Sequence, residues 1–137
     1  MVEAGREHLV VVDRDPHVRL LLQKFLGDAY TIEFFDDGYS ALDHVRRSPP
    51  SVLITEILIP RLDGLALCRL LKGDLTTRHV PILVFSMLTG GERVRQSGAD
   101  AFLAKPLEKN RLIAALRRLT EPRERGGALP PQEQCDS

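Results

Sequence analysis

An acidic residue at the end of an apolar run is the feature of this sequence that most directly indicates a functional site. Glu56 closes the run Ser51–Thr55, and Asp63 with Gly64 then opens a stretch of helical period. This order predicts a buried strand that delivers a carboxylate to a loop. Such a carboxylate could take part in chemistry or could serve only to anchor the loop, and both interpretations stay open at this point.

Four more polar residues follow other apolar runs in the same way. Asp13 and Arg14 come after the first run, Ser86 after the fourth and Lys105 after the fifth. In a doubly wound parallel sheet the carboxyl ends of the strands meet at one edge, where ligands bind. We therefore expect these residues to share a pocket with Glu56. Ser86 could instead cap the next segment, and Arg14 could point to solvent.

Short apolar runs alternate with stretches of helical period along the whole sequence. Strands are predicted at 9–12, 30–35, 51–55, 81–85 and 101–104, and helices at 16–26, at 38–47, from Asp63–Gly64 onward, at 89–97 and at 108–119. Five βα repeats require a parallel sheet covered by helices on both faces. The pattern predicts an α/β fold with a doubly wound five-stranded parallel sheet in one domain, residues 1–120. Residues 121–137 contain prolines and glycines with little apolar periodicity, and they predict a flexible C-terminal tail.

Composition excludes several classes of function. Lys and Arg together number 19, as do Asp and Glu, so the formal net charge is zero and neither nucleic acid nor an anionic membrane is an expected partner. No apolar stretch reaches membrane-spanning length and no export signal is evident, which favours the cytoplasm. Two cysteines form no metal or disulfide pattern, and the four histidines, at positions 8, 17, 44 and 79, show no ligand spacing, so surface or hydrogen-bonded histidines are expected.

Over about residues 8–120 the sequence resembles the receiver domain of two-component response regulators. The resemblance rests on Val11-Val12-Asp13, on the acid at 56 with Ile59-Pro60, on Ser86 and on Ala104-Lys105-Pro106. It implies a flavodoxin-like (βα)5 fold with strand order 2-1-3-4-5. It also implies a signalling module that is not an enzyme.

The resemblance assigns roles by position. Asp13 matches the first member of the acidic pair, Ser86 the hydroxyl residue that contacts the phosphoryl group, and Lys105 the lysine that neutralises it. Phe102 matches the aromatic switch position, and the Lys105–Pro106 bond matches one that is usually cis.

Two positions depart from the family pattern. Glu56 replaces the phosphate-accepting aspartate, and Arg14 replaces the second acid that holds magnesium. One extra methylene moves the acid's oxygens by roughly 1.5 Å, and a misplacement of about 1 Å can slow a reaction on the order of a hundredfold. Magnesium requires a near-octahedral shell of oxygens, so no cofactor is expected and Mg²⁺ should bind weakly if at all.

The same residues suggest how such a pocket could close on itself. Asp13 and Glu56 could pair with Arg14 and Lys105 in a neutral hydrogen-bonded quartet, because a guanidinium can contact a carboxylate through two donors. Glu56 would also reach further toward Ser86 than an aspartate would. The hypothesis is a degenerate phospho-acceptor site fixed in one state.

The favoured function is a single-domain receiver in phosphorelay signal transduction that acts as a phosphorylation-independent protein-interaction module. Its expected partners are a sensor histidine kinase or a downstream effector, and homodimer formation is left open. The alternative is a receiver that accepts phosphate from a histidine kinase. A small flavodoxin-like enzyme is disfavoured because the loop Asp13–Pro16 lacks the hydroxyls and glycines that a flavin phosphate needs.

Overall fold

Strands and helices alternate strictly in this computed structural model, which describes residues 7–87 and 91–121. The five strands are β1 (Glu7–Val12), β2 (Tyr30–Phe35), β3 (Val52–Thr55), β4 (Ile82–Ser86) and β5 (Ala101–Ala104). The five helices are α1 (Pro16–Leu26), α2 (Gly38–Arg47), α3 (Gly64–Lys72), α4 (Gly91–Ser97) and α5 (Lys109–Thr120). The predicted order of elements is confirmed. Beyond Glu121 the predicted tail lies outside the described residues.

The five strands form one parallel sheet in the order β2-β1-β3-β4-β5. The doubly wound, flavodoxin-like fold is therefore confirmed. The register pairs Val12 with Thr55, and Ser86 with Ala104. Residues that directly follow β1, β3 and β5 thus emerge at the same edge of the sheet as the end of β4.

Alternation along the strands sends neighbouring side chains into two separate cores. Val10 and Val12 pack with the buried residues of α2, α3 and α4, whereas Leu9 and Val11 pack with those of α1 and α5. The central strands β3 and β4 and the second half of β1 are thus buried on both faces, as crossover helices require, whereas the edge strands β2 and β5 are mostly half-buried. None of the helices that the structure describes is both long and apolar enough to span a bilayer.

Local capping fixes the loops that follow β1 and β3. The Asp15 carboxylate accepts a hydrogen bond from the His17 amide at 2.9 Å, with Pro16 in the first turn of α1, so Asp15 is the N-cap of this helix. Asp63 caps α3 by accepting from the Ala66 amide at 2.9 Å. The backbone of Gly64 then approaches that of Glu56 so closely that a Cβ at residue 64 would lie 2.1 Å from the Glu56 carbonyl oxygen. A glycine is needed there because only hydrogen fits.

Candidate functional site

Four of the five predicted site residues meet at the carboxyl edge of the sheet. Asp13 follows β1, Glu56 follows β3, Ser86 ends β4 and Lys105 follows β5. Backbone hydrogen bonds continue the sheet into the site, from the Glu56 amide to the Val12 carbonyl at 3.0 Å and from the Lys105 amide to the Ser86 carbonyl at 3.0 Å. The side chains are therefore carried by the ends of rigid strands.

The Lys105 ammonium lies between two carboxylates. Its Nζ is 2.8 Å from Oε1 of Glu56 and 3.1 Å from Oδ2 of Asp13. The side chains of Lys105, Asp13 and Glu56 are only 13%, 5% and 11% exposed, so water screens these contacts poorly. Burial by itself would lower the pKa of Lys105, but its hydrogen bonds to Glu56 and Asp13 outweigh burial and raise that pKa.

The second oxygen of Glu56 is held by three further donors. Oε2 accepts hydrogen bonds from the Ser86 hydroxyl at 2.5 Å, from the Ile57 amide at 2.7 Å and from the Leu58 amide at 3.2 Å. Burial acts to raise the pKa of Glu56, but Lys105, Ser86 and the Leu58 amide together bring it below its usual value. Glu56 is therefore held as an ionised acceptor of four donors.

Asp13 is fixed by the start of α1. Its Oδ1 accepts a hydrogen bond from the Asp15 amide at 3.0 Å, while its carbonyl oxygen accepts one from Nε of Arg19 at 2.7 Å. Oδ2 then faces Lys105. Each carboxylate oxygen of Asp13 thus has a donor within the domain.

Arg14 does not join these residues, and the predicted quartet is wrong in this respect. Its side chain is exposed, and the structure gives it no ion pair with Asp13 or Glu56. Asp13 is held inward by the Asp15 amide and the Lys105 ammonium, while the next side chain, that of Arg14, lies on the exposed side of the loop. The site is a cluster of two carboxylates and one ammonium, with the Ser86 hydroxyl.

The two remaining predicted features have different outcomes. The Lys105–Pro106 peptide bond is cis, as the resemblance implied. Phe102 lies opposite Val84 in the sheet and packs, half-buried, against the core beneath α2, α3 and α4. Its role as a switch stays a prediction.

Sequence reasoning missed the backbone amides of Ile57 and Leu58. Two of the four donors to Glu56 are these N–H groups, and every residue except proline carries one. Side-chain types therefore gave no signal for them. Only the turn after β3 aims both amides back at the Glu56 carboxylate.

The described residues do not fit a magnesium ion of the kind that the family pattern implies. All four oxygens of the Asp13 and Glu56 carboxylates already accept from protein donors. The position that would add another acid holds the exposed Arg14. Magnesium prefers several oxygen ligands in near-octahedral geometry, and this donor set does not offer them.

Known proteins resemble this chain in sequence and in structure. Residues 9–117 match the family model for the response regulator receiver domain. Over 115 residues the chain is 39% identical to the response regulator PleD of Caulobacter vibrioides, covering 82% of this chain and 25% of PleD. It is also 39% identical to the response regulator MprA of Mycobacterium tuberculosis, covering 81% of this chain and 49% of MprA. The chain thus spans a quarter to a half of these relatives.

A solved structure shows the same architecture. The signal receiver domain of a signal transduction histidine kinase from Syntrophus aciditrophicus superimposes with a TM-score of 0.79 at 27% identity, covering 92% of this chain and 98% of that one. Family match, sequence identity and fold agree. The chain therefore belongs to the response regulator receiver domain family of two-component signalling.

Proposed function

We propose that this receiver acts as a phosphorylation-independent protein-interaction module, in which Glu56 permanently engages the groups that a phosphoryl group would need. The observation that carries the proposal is the convergence of four donors on the Glu56 carboxylate, from Lys105, Ser86 and two backbone amides. By family resemblance, Ser86 and Lys105 are the residues that contact and neutralise the phosphoryl group. Here both contact the protein's own acid.

The extra methylene explains this arrangement. We infer that a shorter aspartate at position 56 would leave room for a phosphoryl group between its carboxylate and the facing Ser86 hydroxyl and Lys105 ammonium. Glu56 extends by roughly 1.5 Å into that room, and its oxygens lie 2.5 Å from Oγ of Ser86 and 2.8 Å from Nζ of Lys105. The Glu56 carboxylate therefore supplies the negative charge next to Ser86 and Lys105 that a phosphoryl group would otherwise supply.

Phosphoryl transfer to Glu56 would be strongly opposed. The attacking oxygen must lie in line with the phosphorus, and the transferred group needs cationic and hydrogen-bonding partners in the transition state. Glu56 would have to release Lys105 and Ser86 before either could stabilise the incoming group. A weak affinity for Mg²⁺ is part of the same proposal, since the acid that would complete its shell is replaced by Arg14.

The remaining aspects of the function are proposed with it. We infer that this receiver works in the cytoplasm, performs no catalysis itself and binds a sensor histidine kinase or a downstream effector. The neighbourhood of Phe102, beside β4, is the region expected to differ between signalling states. The fixed site would hold that region in one arrangement.

The proposal is tested by incubating the whole chain with acetyl phosphate and magnesium and measuring its intact mass. We expect no phosphate adduct on the wild-type chain. The double variant Glu56→Asp/Arg14→Asp reverses both departures from the family pattern and should gain one phosphate adduct. Glu56→Asn/Arg14→Asp is the matched control without an acceptor carboxylate. A phosphate adduct on Glu56 of the wild-type chain would instead establish the alternative, a phosphorylatable receiver.

A further inference from the structure

Two of the four histidines meet an acid at the other end of the sheet. His8 lies at the start of β1, Glu33 in β2 and His44 in α2. Along β1, His8 shares the strand face of Val10 and Val12, which packs beneath α2. Glu33 shares the face of Phe35, which packs against the same core. Strand alternation and helix packing thus bring together residues that are far apart in the sequence.

The three side chains converge on one point. Oε1 of Glu33 lies 3.0 Å from Nε2 of His8 and 2.9 Å from Nε2 of His44. One potential ligand atom from each residue lies within 4.8 Å of the others. His8 and His44 are 16% and 19% exposed, whereas Glu33 is 44% exposed and opens the cluster to solvent.

The cluster has buried nitrogen atoms that the described residues do not satisfy. Nδ1 of His8 and Nε2 of His44 are buried and have no hydrogen-bond partner among the described residues. The 2.9 Å contact between His44 and Glu33 is therefore close in distance but lacks hydrogen-bond geometry. Buried polar atoms without partners are rare in folded proteins and call for an explanation.

We propose that His8, Glu33 and His44 form a binding site for a divalent transition metal of the zinc type. Two imidazoles and one carboxylate are a ligand set that binds Zn²⁺, whereas Mg²⁺ and Ca²⁺ prefer oxygen ligands alone. Metal–ligand distances of about 2.0–2.2 Å in a tetrahedron place ligand atoms roughly 3.3–3.6 Å apart. The two nitrogen–oxygen separations of 3.0 and 2.9 Å need to widen by only a few tenths of an ångström to admit the ion, and the ligand atoms of the two histidines already lie within 4.8 Å of each other. The exposed side of Glu33 leaves the fourth position to water.

The competing explanation is that the cluster holds no metal and that protonated histidines form ion pairs with Glu33. The metal site is favoured because both Nε2 atoms approach a single oxygen and one of them makes no hydrogen bond there. A cation at the centre would give Nε2 of His44 the partner that it lacks, while Nδ1 of His8 faces away from this centre. The site is also separate from the Glu56 cluster, since His8 and Asp13 are five residues apart along β1, or roughly 16 Å. The inference therefore does not depend on the proposed function.

The test is calorimetric titration of the whole chain with Zn²⁺, combined with thermal unfolding with and without the metal. We expect one zinc ion per chain and a melting temperature that rises with zinc concentration. The variants His8→Gln, His44→Gln and Glu33→Gln should each weaken binding at least tenfold. The exposed histidines supply matched controls, and His17→Gln and His79→Gln should bind zinc as the wild type does.

Two further measurements separate the outcomes. Cys135→Ser must retain binding, because a thiolate is a strong zinc ligand that could otherwise account for the stoichiometry. Glu33 is more exposed than either histidine, so Glu33→Gln keeps the test valid if a histidine variant folds poorly. Circular dichroism without zinc verifies the folding of each variant. The proposal is overturned if the wild type binds no stoichiometric zinc, if binding survives in the His8→Gln/His44→Gln variant, or if the two histidines titrate with pH in a chain that takes up no metal.

Discussion

Replacing Glu56 by glutamine is the sharpest perturbation of the site, because it keeps the length of the side chain and removes its charge. The carboxylate accepts from Lys105 through Oε1 and from Ser86, Ile57 and Leu58 through Oε2. A glutamine has one acceptor oxygen and one NH2 group that can only donate. If its oxygen faces Lys105, the NH2 group meets two backbone donors; if it is flipped, the NH2 group meets the ammonium.

The expected loss of stability in Glu56→Gln follows from the hydrogen-bond donors that the substitution leaves without an acceptor. Hydrogen bonds to charged groups contribute about 1.5–3 kcal/mol each, and a buried donor without a partner costs about 1–3 kcal/mol. Lys105 keeps its contact with Asp13 at 3.1 Å, so the larger penalty of an isolated buried charge does not apply. We expect Glu56→Gln to lower the free energy of unfolding by about 2–3 kcal/mol at pH 7.

The effect should depend on pH with a defined sign. The pKa of Glu56 is lowered in the folded protein from its ordinary value of 4.5. Its ionised form therefore stabilises the fold above about pH 4.5, and this contribution is lost as the pH falls through the lower pKa of the folded state. The difference between wild type and Glu56→Gln should shrink over that acidic range.

Urea unfolding followed by far-ultraviolet circular dichroism at pH 7 and pH 3 measures both effects. The matched control is Glu92→Gln, since Glu92 pairs with Arg95 on the surface of α4 and should leave the unfolding midpoint unchanged within error. The reasoning is refuted if Glu56→Gln unfolds at the wild-type midpoint at pH 7, or if the difference persists in full at pH 3.

Two further predictions follow from packing and burial. Gly64→Ala should lower the free energy of unfolding by about 1–3 kcal/mol, because the added Cβ would lie 2.1 Å from the Glu56 carbonyl oxygen. The control is Gly91→Ala, whose added Cβ would have no neighbour within 4 Å. It should be neutral or slightly stabilising in the same urea-unfolding measurement. Burial raises the pKa of the Cys68 thiol to about 12. In a Cys135→Ser background, Cys68 should therefore resist alkylation by iodoacetamide at pH 8 in the folded chain and should react once the chain is unfolded in urea. Rapid labelling of the folded chain would contradict this prediction.

Local patterns predicted the elements well because each strand and helix carries its own period. The start of α1 at Pro16 and the span of β2, Tyr30–Phe35, agree with the structure. β1 begins two residues earlier than the predicted 9–12 strand, at Glu7, because pairing with β2 extends it through residues with no apolar signal. The periodicity of a single segment cannot predict a strand boundary that is set by pairing with a neighbouring strand.

Side-chain direction was less predictable than side-chain position. Both Asp13 and Arg14 follow β1, yet only Asp13 turns inward, because its oxygens find Lys105 and the Asp15 amide. His8 and His44 show no ligand spacing in sequence, and only the packing of α2 on the sheet brings them together. Contacts of this kind depend on tertiary structure.

The pairing of Lys105 with Asp13 joins residues 92 positions apart in the chain. During synthesis, the first partner emerges from the ribosome long before the second. The pocket is thus completed only after β5 has docked, when nearly the whole domain is available to fold. A nascent or prematurely terminated chain that lacks β5 and Lys105 therefore cannot form the complete site. The site forms only in chains whose translation has continued past the last strand.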